Sequence, residues 1–129
     1  MDAVLVGPNG VWNLEIKTLS GKFTNIGESW QCLAGKQWKT MKRNPSVQAR
    51  NNALRLKNLL AADHVSIFVK PVVVWANPES PLKVENSSVP VWTLDRLEDE
   101  LGNIQEGNGM PEADRKKICE KLTTLIQRQ

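Results

Sequence analysis

Three residues near the start of the chain have types and a spacing that could do chemistry: Asp2, Glu15 and Lys17. Glu15 and Lys17 stand two apart in Val11-Trp12-Asn13-Leu14-Glu15-Ile16-Lys17. On an extended strand both side chains therefore leave the same face. Two carboxylates beside an ammonium suit a hard divalent cation. Mg²⁺ prefers carboxylate oxygen and keeps several waters, one of which can become a nucleophile. The ammonium can then stabilise charge on a phosphoryl oxygen. The Ile16 carbonyl, between the two side chains, is a further candidate ligand oxygen. Taken alone, the triplet reads as well as a solvated strand face with a Glu–Lys contact.

Whether Asp2 joins the other two depends on the hairpin that would position it. Residues 3–6 and 11–16 are short β-prone runs around Gly7-Pro8-Asn9-Gly10, a strong turn signal. Pro8 fixes φ near about −65°, which excludes a two-residue type I′ turn centred on Pro8-Asn9. A four-residue loop on a type I turn fits instead, with Val6 facing Val11, Val4 facing Asn13 and Asp2 facing Glu15. Two facing carboxylates at about 5 Å repel by about 3 kcal/mol at an effective dielectric of about 20. Either the hairpin slips through a bulge at Gly10, or something positive sits between the two groups, a divalent cation being the natural choice.

The remaining elements follow from periodicity and punctuation. Residues 22–39 are expected to continue the same sheet, with Phe23, Ile26, Trp30 and Trp38 packing inward. Asn44-Pro45 is a helix start, Asn as N-cap and Pro at the first helical position. That helix should run to about Ala62, burying Ala49, Ala53, Leu56 and Leu60 and turning Arg50 and Lys57 outward. Gln48 and Asn52 flank the stripe, where they would meet the sheet edge. Asn52 reads as a cap or a bridge to solvent, and Gln48 is open between that role and a site role. Val65–Trp75 reads as a central strand, with Pro71 marking a bulge or a change of strand. Residues 77–88 read as a loop, Val89–Trp92 as a short strand, and Thr93 as the cap of a helix carrying Leu94, Leu97 and Leu101. Residues 102–110 read as a flexible loop and 111–127 as a C-terminal helix with Ile118, Leu122, Leu125 and Ile126 inward.

At 129 residues, with 40% of them apolar and 24% charged, the chain has the size and composition of one soluble domain over 1–129. No apolar run has the length of a membrane span and no signal peptide is evident, so a cytoplasmic protein is expected. Cys32 and Cys119 lack metal-ligand spacing and read as reduced thiols. Charge is unevenly spread: residues 1–70 hold ten Lys/Arg against four Asp/Glu, residues 71–129 seven against ten. A basic first half suits a polyanionic ligand. Trp30, Trp38, Lys39, Lys42 and Arg43 mix aromatics with bases as a single-strand surface does, but half-buried tryptophans beside solvated lysines are the simpler reading. His64 reads as a surface residue at a helix end and is assigned no catalysis.

An Asp on one strand and Glu-x-Lys on the next is the signature of the PD-(D/E)xK nuclease superfamily. Asp2-Ala-Val-Leu-Val-Gly-Pro-Asn-Gly-Val-Trp-Asn-Leu-Glu15-Ile-Lys17, then Ser20-Gly21-Lys22, then Asn44-Pro45-x-x-Gln48, resembles the NERD (nuclease-related) domain within it. The resemblance is good over residues 2–76 and loose to about 101. It implies an α/β restriction-endonuclease-like core, a central mixed β-sheet flanked by helices, and hydrolysis of DNA with Mg²⁺ or Mn²⁺. It places metal ligation at Asp2 and Glu15, the cationic role at Lys17 and an assisting polar role at Gln48. With it, Lys22, Lys39, Lys42 and Arg43 become candidate DNA contacts. The resemblance further leads us to expect that the family's N-terminal helix and first strand are lacking, and with that a homodimer completing the sheet edge. The alternative function is a catalytically inactive DNA- or protein-binding module of the same fold.

Overall fold

In the computed structural model, which describes residues 2–105 and 110–127, strands β1 (Ala3–Gly7) and β2 (Gly10–Lys17) form the expected antiparallel hairpin. Val6 faces Val11 and Val4 faces Asn13, with no slip. The loop is tighter than expected, because Gly7 still pairs with Gly10 and leaves Pro8 and Asn9 to turn the chain. Neither has positive φ; Gly10 does, at 136°, a conformation that any side chain would resist.

Strand β2 pairs in parallel with β6 (Val69–Trp75), which the helix α1 (Pro45–Ala62) precedes in the chain. Strand β8 (Val91–Thr93) joins β6 on its other side, giving the order β1-β2-β6-β8. The expected strand over 65–75 thus starts only at Val69, and Phe68 before it is 64% exposed. Pro71 makes no bulge and no change of strand. β8 pairs only from Val73, whose N–H donates to the Pro90 carbonyl at 2.9 Å. Alternate residues address the same neighbour, so Pro71, two before Val73, turns its missing donor to the open part of that edge.

Residues 23–40 do not continue this sheet as expected. β3 (Phe23–Ile26), β4 (Ser29–Ala34) and β5 (Gln37–Thr40) form a second sheet with β7 (Leu82–Glu85), in the order β5-β4-β3-β7. β7 lies in the segment expected to be loop. Its parallel pairing to β3 makes this sheet mixed as well. Phe23 and Trp30 are buried as expected and pack around Trp75 with ring centroids 4.9 and 5.9 Å away. The Trp30 indole N–H donates to the buried Ser46 hydroxyl at 2.7 Å. Ile26 and Trp38 were expected inside, but they are 55% and 46% exposed, because they lie on the face turned away from that cluster.

Helix α1 starts as the sequence requires. The Asn44 side chain accepts from the N–H groups of Ser46 and Val47, and Pro45 needs no donor there. Its stripe of Ala49, Ala53, Leu56 and Leu60 is buried, and the leucines each contribute about 1.5–3 kcal/mol by leaving water. The chain leaves the helix through His64, at φ 64°. The C-terminal half of α1, with Ile118 of α3 (Glu112–Gln127), covers Val11 and Val69 on one face of the first sheet. Helix α2 (Leu94–Gln105) covers the other face, setting Leu97 and Leu101 against Trp12, Leu14, Val72, Val74 and Trp92. Leu94, at the start of that helix, is exposed. α2 also runs through residues 102–105, where loop was expected, while 106–109 and the side chains of Leu125 and Ile126 lie outside the described residues.

Candidate metal and phosphoryl site

Alternation along β2 decides which residues meet. Val11 packs with Ala53 and Leu56 of α1, whereas Trp12 and Leu14 pack with Leu97 and Leu101 of α2. Asn13, Glu15 and Lys17 therefore share the α1 face with Val11. Glu15 is only 7% exposed there. The Lys17 ammonium lies 3.4 Å from its Oε1, and the Asn52 amide donates to its Oε2 at 3.1 Å. Asp2 falls one step beyond the Ala3–Leu14 pair, on the same face as Val4 and Val6 by alternation. Its Oδ2 accepts the Ile16 N–H at 2.7 Å. One hairpin and one helix thus gather Asp2, Glu15, Lys17 and Asn52.

The facing carboxylates need no foreign cation to hold their register. Lys17 and Asn52 supply positive charge and a donor to Glu15, and the Ile16 N–H does so for Asp2. What remains open is acceptor capacity, since an ionised carboxylate offers about four lone-pair positions. Among the described residues no group of three His, Cys, Asp or Glu could hold a metal. That donor set does not suit an ion caged wholly by protein, and it fits Mg²⁺, which takes one or two carboxylates and retains water. Two further oxygens on this side of the molecule are buried without a donor among the described residues: Gln48 Oε1 and Asn13 Oδ1. Waters of a hydrated cation are donors of the required kind.

Gln48 lies one turn before Asn52 on α1 but makes no side-chain hydrogen bond to Asp2, Glu15 or Lys17 among the described residues. Asn52, read as a cap or a solvent bridge, is the helix residue that holds Glu15. The signal that could have found it is its four-residue spacing from Gln48, which puts both on one face. That face crosses β2 and β6, the inner strands of the sheet, and not the sheet edge. Lys22, Lys39, Lys42 and Arg43 are all exposed. They lie just before β3, on β5 and in the segment leading to α1. Cys32 and Cys119 are free thiols.

A scan against protein-family models matches residues 1–76 to the nuclease-related domain, NERD. The chain belongs to the NERD family. The match spans β1 to β6, so Asp2, Glu15, Lys17, Gln48 and Asn52 all lie within it. Asp2, just before β1, and Glu15-Ile16-Lys17 on β2 are compatible in type and order with a PD-(D/E)xK pattern. Searches of curated proteins and of solved structures returned no match. No helix among the described residues of this NERD chain is long and apolar enough to cross a membrane.

Proposed function

We propose that this NERD protein hydrolyses DNA phosphodiester bonds with Mg²⁺ or Mn²⁺. One observation carries the reading: a buried Glu15 braced by Lys17 and Asn52, beside an Asp2 carboxylate docked on the N–H of the residue between them. Asp2, Glu15 and the Ile16 carbonyl would hold the ion, which supplies charge on the phosphate and a water of lowered pKa. Lys17 steadies negative charge on the scissile group, and its place beside Glu15 fixes where that charge must come. Asn52 holds the Glu15 carboxylate in place through its amide, which would leave the other lone pairs for an ion, and Gln48 would offer an acceptor for water. Lys22, Lys39, Lys42 and Arg43 contribute sequence-independent attraction for the backbone.

Incubation with plasmid and linear DNA in Mg²⁺ or Mn²⁺, alongside Glu15→Ala and Lys17→Ala, tests this. Cleavage by the wild type, reduced at least about a hundredfold in both folded variants, is the expected result. DNA binding without cleavage in either metal would instead support a non-catalytic module, which the basic first half of the chain also suits. The first sheet ends at β1, an edge strand. We propose that a second copy pairs along it, since an unpaired edge is a template for another strand.

A further inference from the structure

The second sheet has one face packed on Ala49, Val73 and Trp75 and another that no core cluster contains. On that outer face Trp38 sits opposite Leu33 across the β4–β5 ladder, and Gln31 sits opposite Thr40 and Thr24. The Leu33 N–H donates to the Lys22 carbonyl at 3.0 Å. The alternation of β3 places Lys22 on the same face as Thr24 and Ile26, in one cross-strand row with Leu33 and Trp38. Trp38 is 46% exposed and its ring stacks on nothing among the described residues. Every residue of β5 is exposed. From Ser29 to Ala62 the chain has no Asp or Glu but seven Lys or Arg, among them Lys36, Lys39, Lys42 and Arg43 around this hairpin.

An exposed indole beside Lys22, on an open sheet face where the carboxylate of Glu85 is paired with Lys83 at 3.5 Å, has the makings of a stacking platform. Every base has a π-face, so stacking tolerates any sequence, while lysines track the phosphates. Duplex bases are already stacked and cannot use it. The platform lies close to the candidate site: Lys22 follows Lys17 by five residues, so their Cα atoms are within about 18 Å. A single strand rising about 3.4 Å per nucleotide covers that in about five nucleotides.

We propose that the outer face of the second sheet binds single-stranded DNA, with a base stacked on Trp38 and phosphates on Lys22 and on Lys36 of the β4–β5 turn. This rests on the DNA reading above and narrows its substrate to strands with an unpaired segment. Fluorescence anisotropy in excess chelator, with labelled oligo-dT and a duplex of equal length, measures it without cleavage. The wild type should bind oligo-dT more tightly than duplex, and Trp38→Ala should weaken oligo-dT about tenfold while leaving duplex unchanged. Trp38→Phe should restore most of the loss, and Lys22→Ala should lower the salt dependence of binding. Oligo-dT bound equally by wild type and a folded Trp38→Ala, tighter duplex binding, or binding to neither would overturn the proposal. Trp38-dependent binding in a protein that never cleaves would sink the nuclease reading alone. Glu15-dependent cleavage with Trp38-independent binding would sink this one alone.

Discussion

Glu15 pays for its burial with two local partners, and that changes what its removal should do. Carboxylate repulsion by itself predicts that metal-free Glu15→Ala is neutral or stabilised. In the structure the same substitution strips the partner from the Asn52 amide and leaves Lys17 facing a gap. A partly buried donor left unpaired costs about 1–3 kcal/mol, so Glu15→Ala should lose about that much in urea denaturation. Glu15→Gln keeps an acceptor for Asn52 and should stay within about 1 kcal/mol of wild type without metal. Equal losses in the two variants would show that Asn52 does not hold Glu15. Asp2, Glu15 and Lys17 were legible in the sequence because turn length and a two-residue period fix their face. Asn52 was not, since its role depends on where α1 crosses the sheet, which no local pattern records.

The two sheets and α1 are tied by one polar triangle. Arg50 of α1 pairs with Glu28 in the β3–β4 turn through both guanidinium nitrogens, one contact being 2.6 Å. Ser88, before β8, donates its hydroxyl to the same carboxylate. The Asn44 amide also donates to the Glu28 carbonyl at 2.8 Å, joining the N-cap to that turn. The Arg50 hydrogen bond first, and that of Ser88 next, holds the Glu28 carboxyl below its ordinary value of 4.5. A carboxyl lowered in the folded state gives stability that is present above the unfolded value and lost as pH falls through the folded one. The stability gap between wild type and Glu28→Gln should therefore be widest above pH 4.5, shrink below it, and narrow in salt because the pair is exposed. Urea titrations across pH measure it, and a gap independent of pH would refute the assignment. The α1 boundaries were readable because Asn44 and Pro45 act locally. β7 was missed although Leu82-Lys83-Val84-Glu85 alternates with period two, because the surrounding Pro and Ser residues dominate the segment. The split into two sheets was not readable, since strand pattern does not say which strands pair.

At the scale of the molecule, the α/β architecture followed from strands alternating with helical stripes, and the exposed Trp38 did not, because only the second sheet's packing decides which face is open. The free edge of β1 gives a test of assembly. Light scattering after size exclusion at micromolar concentration should report about twice the 14.5 kDa chain mass, and Val4→Pro, which removes a backbone donor on the unpaired side of β1, should shift it toward monomer. A clean monomer in the wild type would remove the dimer.

The central claim is that the Asp2 and Glu15 carboxylates together take a divalent ion. Electron paramagnetic resonance of a Mn²⁺ titration reads it directly, by comparing wild type with folded Glu15→Gln. The account predicts a protein-bound Mn²⁺ population whose affinity falls at least about tenfold in the variant. Equal Mn²⁺ affinity in the two proteins would contradict it.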